Sequence, residues 1–303
     1  MCTLTPEQTN SILQPQHDLI RLVNQGQSLT IAPQNGAVIT HMTLEKEGRQ
    51  VQVLQPHEKY LYENAWLFPF PNRLNKGAYS FEGKSYQFPI NDIDLPNALH
   101  GFAHGNAFEV VSQTDDHCEL TYQYDGRHEF YPFPFVLNVA YSLKEDGLYL
   151  TARVKNTGAS NLPSGLGWHP YFHIEKGVAQ AGLKIPSCYE VEVDENLIPT
   201  GAKRPSHCFE EFSTLKDSVL DTCFELGRKG EQQSVELRLE EGLILEVWQD
   251  AHYPYVQVFT PKDRQTIAIE PVTCAIDAFN SREGLKILSP GESWEVQCGV
   301  RLV

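Results

Sequence analysis

Two side chains in this sequence are placed to exchange protons with a ligand. His169 lies in Gly165-Leu166-Gly167-Trp168-His169-Pro170-Tyr171-Phe172, where bulky aromatic neighbours and a φ-locking proline hold the imidazole in one orientation. Glu270 ends the apolar run Thr266-Ile267-Ala268-Ile269 and precedes Pro271. Alternation along a buried strand aims Glu270 at the interior, and Pro271 ends the ladder just after it. Partial burial there raises a carboxyl toward the range useful to a base. A carboxylate plus an imidazole is a sufficient pair for general acid–base catalysis, worth about 10²- to 10⁴-fold for each group. Each residue also has a plainer reading: a strand-end glutamate in solvent, and a hydrogen-bonded core histidine.

Further residues are of types that bind polar ligands. His100 follows Pro96-Asn97-Ala98-Leu99 and precedes Gly101, a loop end with room for close approach, although a solvated loop histidine reads the same way. Asn72 and Arg73 precede the turn and strand Leu74-Asn75-Lys76-Gly77-Ala78-Tyr79. An arginine fork presents fixed donors to vicinal hydroxyls, and it serves equally in a structural ion pair. Trp66, Phe68, Phe70, Trp168, Tyr171 and Phe172 offer faces for stacking, with most of them expected in the core. If the His169 segment is extended, its neighbours alternate faces, so Tyr171 and not Trp168 shares the imidazole's side. His100 with His104, and His169 with His173, have His-x₃-His spacing. That spacing binds metal when both rings share a helical face, which Gly101 and Pro170 disfavour, so no metal is expected. Neither a Gly-rich phosphate loop nor a ligand cluster is present, and no cofactor is expected.

The elements that must position these groups read as strands. Leu19 to Val23 and Ser28 to Ile31 flank Asn24-Gln25-Gly26-Gln27, a hairpin in which Gly supplies the positive φ. Tyr79 to Phe81 with Ser85 to Phe88, Val136 to Tyr141 with Leu148 to Ala152, and Val235 to Leu239 with Leu243 to Val247 repeat the pattern. An alternating strand, Trp294 to Val300, closes the chain. Helical periodicity is scarce, so the expected class is all-β: a large antiparallel β-sandwich built of meanders. Residues 1–16, polar with Pro6 and Pro15, are expected to be a flexible N-terminal extension, and 17–303 a single domain. A short helix is expected near Ser213 to Leu220, where strand patterning is weakest.

Bulk composition narrows the partners. Across 303 residues, 24 basic and 39 acidic side chains give a net charge of −15, which argues against nucleic acid or an anionic membrane as partner and for a small neutral ligand. Seven cysteines without C-x-x-C indicate neither a disulfide framework nor a zinc ribbon and suit a reducing cytoplasm. No segment has the apolar length of a membrane span or the pattern of a signal peptide, so a soluble, cytoplasmic protein is expected.

In chain order, Pro71-Asn72-Arg73, Leu99-His100-Gly101, Gly165 to Phe172, Leu220-Asp221-Thr222-Cys223-Phe224 and Ile269-Glu270-Pro271-Val272-Thr273 with Asp277-Ala278-Phe279-Asn280 resemble the signature series of the aldose 1-epimerase (galactose mutarotase) family. The resemblance runs from about residue 26 to the C-terminus. It implies a sandwich of the galactose mutarotase type and a cofactor-independent isomerase that opens and recloses a free aldohexose. It assigns Glu270 as catalytic base, His169 as the acid toward the ring oxygen, and His100 as the group that binds or polarises the sugar. Asn72, Arg73 and Asp221 are implied to hold its hydroxyls. One position departs from the pattern, His104, where many members carry arginine. The alternatives are a hexose-phosphate mutarotase of the same superfamily and a non-catalytic carbohydrate-binding protein. The first needs a cationic phosphate site, for which only Arg73 is near the motifs. The second could dispense with the acid and base, which are retained here.

Overall fold

The computed structural model describes residues 19–57, 61–240 and 242–303, so the expected extension 1–16 lies outside the described residues. The protein is an all-β antiparallel sandwich. Among the described residues, helix is limited to the four-residue Ala278–Ser281 and short 3-10 turns.

Alternation builds the main layers. Phe135–Lys144 buries every second side chain, and it pairs in register with Gly147–Asn156 across the turn at residues 145–146. These strands lie in a nine-stranded sheet that continues through Ser293–Leu302, Leu243–Gln249 and Gln233–Glu240. An eight-stranded sheet faces it, running from Pro199–Ser206 through Cys188–Val193, Asp221–Leu226, Tyr255–Phe259, Thr266–Val272 and Gly167–His169 to Ala65–Leu67. Contact between the two layers is direct: Trp66 Nε1 donates to Tyr141 Oη at 2.7 Å, and the rings of Phe68 and Phe135 meet edge to face at 4.7 Å. Ile20–Asn24, Gln27–Ala32, Val38–Lys46 and Arg49–Leu54 form a four-stranded meander whose inward residues join the same core.

Thr266–Val272 is buried at every position, the mark of a central strand covered on both faces. Ile267 and Ile269 enter the main core, with Val256 and Val258 beside them, at about 1.5–3 kcal/mol for each large side chain buried. Glu270 and Val272 take the opposite face, with Gln257, Tyr255 and Cys223 on the neighbouring strands.

The short helix expected near Ser213 to Leu220 is absent. Ser213–Thr214 is instead a two-residue strand against Gly182–Leu183, followed by a turn with Lys216 at positive φ. Leu215 N donates to Ala181 O at 3.1 Å, so the backbone hydrogen bonds a helix would need go to the neighbouring segment, with the Leu215 side chain fully buried.

The His100–Gly101 turn depends on the glycine. Both residues have positive φ, 62° and 66°, and Gly101 forms a bridge with Phe68. A Cβ at Gly101 would collide with the Phe68 carbonyl, which accepts from both Phe102 N and Ala103 N. Gly101→Ala is therefore expected to destabilise the fold by at least about 2 kcal/mol through overpacking and left-handed strain. Urea unfolding measures this, and wild-type stability in the variant would contradict the backbone arrangement.

Candidate active site

The His169 and Glu270 strands are tied by their own signature residues. Gly167 pairs with Val272, and a Cβ there would meet Val272 Cγ1 at 2.9 Å and Pro71 Cβ at 3.0 Å. Next to it, Thr273 N donates to Leu166 O at 2.9 Å, and Leu166 N donates to Thr273 Oγ1 at 2.8 Å. This clamp brings His169 Nε2 to 3.3 Å from Glu270 Oε1, with the side chains 6% and 2% exposed. Alternation then sorts the aromatics. Trp168 and Phe172 lie in the main core, whereas the Tyr171 ring stacks on His169 at 4.8 Å and 16°.

A second group surrounds this pair. The backbone N–H of Asn72 donates to His100 Nδ1 at 3.0 Å, which leaves the proton of the neutral ring on Nε2, and His100 N donates to Asn72 O at 2.9 Å. The His100 ring meets His169 edge to face at 5.1 Å. Arg73 is held on the adjoining ribbon, where it pairs with Leu99 and its carbonyl accepts from Asp277 N at 2.9 Å. Its Nε donates to Asp92 Oδ2 at 2.9 Å, and a terminal nitrogen lies 3.7 Å from Asp221 Oδ2. Gln257 stands opposite Glu270 in the sheet and donates to Asp221 Oδ1 at 2.6 Å.

The structure thus gathers Glu270, His169, His100, Asn72, Arg73, Asp221 and Tyr171 about one buried locus. It also places there Gln257, Asp92 and Tyr62, which the sequence reading did not single out. Gln257 was detectable in principle as a polar residue at an inward position of the apolar run Tyr255-Val256-Gln257-Val258. Asp92 and Tyr62 lie in loops, where no periodicity marks them. His104 packs edge-on against Tyr62 at 4.8 Å, and Tyr62 contacts His100 at the same distance. Neither His-x₃-His pair is helical. His104 lies in the turn Ala103–Gly105, whereas His173 is on a strand and pairs Nδ1 with Gln55 at 3.0 Å.

Burial sets the protonation. Desolvation raises the Glu270 carboxyl well above its usual range, Asp221 adds to the rise, and Arg73 opposes it. The same desolvation lowers His169 to about 3, His104 to about 4 and His100 well below the usual imidazole value. Both members of the central pair are pushed toward their neutral forms. Glu270 Oε2, His169 Nδ1 and Gln257 Oε1 are buried without a protein partner, which leaves hydrogen-bonding capacity for a polar ligand.

A family model for aldose 1-epimerase matches residues 18–301, nearly the whole chain and every residue of the site. The chain belongs to the aldose 1-epimerase family. Relatives include the uncharacterized YihR protein of Escherichia coli K12, 27% identical over 75% of this chain and 74% of its own length. Galactose mutarotase of Rattus norvegicus is 32% identical over 49% of this chain and 44% of its own. Among solved structures, a galactose mutarotase-like protein from Clostridium acetobutylicum superposes with a TM-score of 0.82 at 22% identity, covering 94% of this chain and 95% of that one. The aldose epimerase homologue of Caenorhabditis elegans gives 0.82 at 20% identity, covering 94% and 98%. These two likenesses establish the fold.

The electrostatics make two predictions. Imidazole carbon shifts should show His169 neutral from pH 7 down to about pH 5, and a midpoint near the unperturbed value would contradict its desolvation. Because the folded value for Glu270 lies above its unfolded one, its contribution to stability is complete below the unfolded value and is lost as pH rises toward the folded one. Glu270→Gln does not titrate. It is therefore expected to be more stable than wild type, by a margin that grows by up to about 1 kcal/mol per pH unit above about pH 5. Parallel thermal melts across pH check this, and a margin flat with pH would refute it.

Proposed function

We propose that the protein interconverts the α and β anomers of a free aldohexose, with no cofactor. The buried Glu270–His169 contact carries this reading. Ring opening needs a proton removed from the anomeric hydroxyl and one delivered to the ring oxygen, and a pair sharing one proton supplies both.

In the proposed cycle a proton first passes from the Glu270 carboxyl to His169 across their 3.3 Å contact, and Glu270 as carboxylate then takes the hydroxyl proton while His169 as imidazolium protonates the ring oxygen. The bond from C1 to the ring oxygen breaks, the aldehyde forms, and the pair is left as carboxylic acid and neutral imidazole. That is the distribution burial favours, so the site stabilises the opened state relative to the charged pair. Rotation about the C1–C2 bond and reclosure with the roles reversed give the other anomer. His100, Asn72, Arg73, Asp221 and Gln257 are the hydroxyl partners, and Tyr171 packs beneath His169. A phosphorylated sugar fits less well: Asp92 and Asp221 already oppose the charge of Arg73.

The continuous hydrophobic core from Ile20 to Leu302 supports reading 17–303 as one domain. Among the described residues the cysteines are free, which supports a reducing compartment such as the cytoplasm, and no helix is long and apolar enough to cross a membrane.

Polarimetry of freshly dissolved α-galactose and α-glucose tests the activity. Glu270→Gln is expected to lower kcat by about 10²- to 10⁴-fold with little change in KM, whereas Arg73→Ala should raise KM as well. Wild-type turnover in Glu270→Gln would exclude this mechanism. The rate should stay flat as pH falls through the usual imidazole range, because the pair gains its second proton only near the lowered His169 value of about 3.

A further inference from the structure

Arg73 and Asp221 present opposite charges across the site yet stand 3.7 Å apart, short of a hydrogen-bonded pair. At this separation a guanidinium and a carboxylate are expected to close into a bidentate fork, which would occupy the donors and acceptors a neutral ligand needs. A third group holds the guanidinium. Asp92 Oδ2 accepts from Arg73 Nε at 2.9 Å, with the two side chains 9% and 13% exposed. On its other side the fork is steadied by Asn72 Oδ1, 3.5 Å from a terminal nitrogen.

Asp92 is itself fixed by the loop that carries it. Its N–H and that of Asn91 both donate to Asn97 O, at 3.2 and 3.3 Å. The Asn91 side chain accepts from Leu99 N at 2.6 Å and donates to Leu99 O at 3.0 Å and to Tyr62 Oη at 3.1 Å. Leu99 is the cross-strand partner of Arg73 and precedes His100. One dipeptide therefore grips both the arginine side chain and the backbone opposite it. The charge of Asp92 also reaches across the mouth, pushing the Tyr62 hydroxyl and the Asp221 carboxyl upward behind the larger effect of burial.

We propose that Asp92 is a positioning residue that holds the Arg73 guanidinium off Asp221, so that each remains a separate hydrogen-bonding group for the sugar. It touches no reacting atom and acts through Arg73. The proposal rests on the sugar-binding reading of Arg73 and Asp221.

Asp92→Asn and Asp92→Glu, each in wild-type and Arg73→Lys backgrounds, test it by crystal structure and by hexose anomerisation kinetics. In Asp92→Asn the guanidinium is expected to move into hydrogen-bonding contact with Asp221, KM to rise about tenfold or more, and kcat to stay within about threefold. Asp92→Glu should recover most of the KM, and the effect of Asp92→Asn should vanish in Arg73→Lys. Asp92→Ser serves the same comparison if the asparagine is not tolerated in folding. An unmoved guanidinium, an equal KM effect in both backgrounds, or a fall in kcat and Tm with KM unchanged would each overturn the proposal. If wild type turned over neither hexose, the sugar reading would fall, while the guanidinium position in the variant structure would still decide the role of Asp92.

Discussion

The site depends on placing one carboxyl, that of Glu270, on a strand buried on both faces. Removing an ionised carboxylate from water costs several kcal/mol even after the protein relaxes, so the group is held neutral or must find compensation nearby. The fold supplies both responses. The imidazole of His169 stands within proton-transfer distance, and Arg73 opposes the rise that burial and Asp221 impose. Ile267 and Ile269, pointing the other way, anchor the same strand in the main core. The carboxyl can thus be carried at this depth because the strand's other face contributes the packing.

Precision in such a site comes from backbone contacts between signature segments. The mutual bonds of Leu166 and Thr273 fix the relative height of the His169 and Glu270 strands. Asp277 N on Arg73 O and Asn72 N on His100 Nδ1 lock the loops to that frame. The bonds at His100 also choose its tautomer, which a solvent-exposed loop histidine would leave open. A catalytic constellation must be held within a fraction of an ångström, and main-chain bonds between strands meet that demand better than side-chain contacts on free loops.

The acidic balance of the chain has a local counterpart. Asp92 and Asp221 outnumber Arg73 around the site, with imidazoles held toward their neutral forms beside them. Under the proposed reading, such a set of groups disfavours an anion and suits a neutral polyol held through directed hydrogen bonds. Desolvation there favours the neutral forms of both Glu270 and His169.

By itself the sequence determined the all-β class and the main hairpins, and it singled out most of the residues that meet at the candidate site, because alternation, turn glycines and contiguous motifs are local signals. The helix expected near Ser213 to Leu220 failed where local patterning was weakest and pairing with Gly182–Leu183 decided the outcome. Tertiary structure alone decided which residues meet. His169 and Glu270 are 101 positions apart, and their 3.3 Å contact follows from the register that sets Gly167 against Val272. Gln257, Asp92 and Tyr62 enter the site only through that register and through loop closure. Protonation likewise belongs to the tertiary level: desolvation and the field of neighbouring charges are sums over the packed molecule, and no stretch of chain carries them alone.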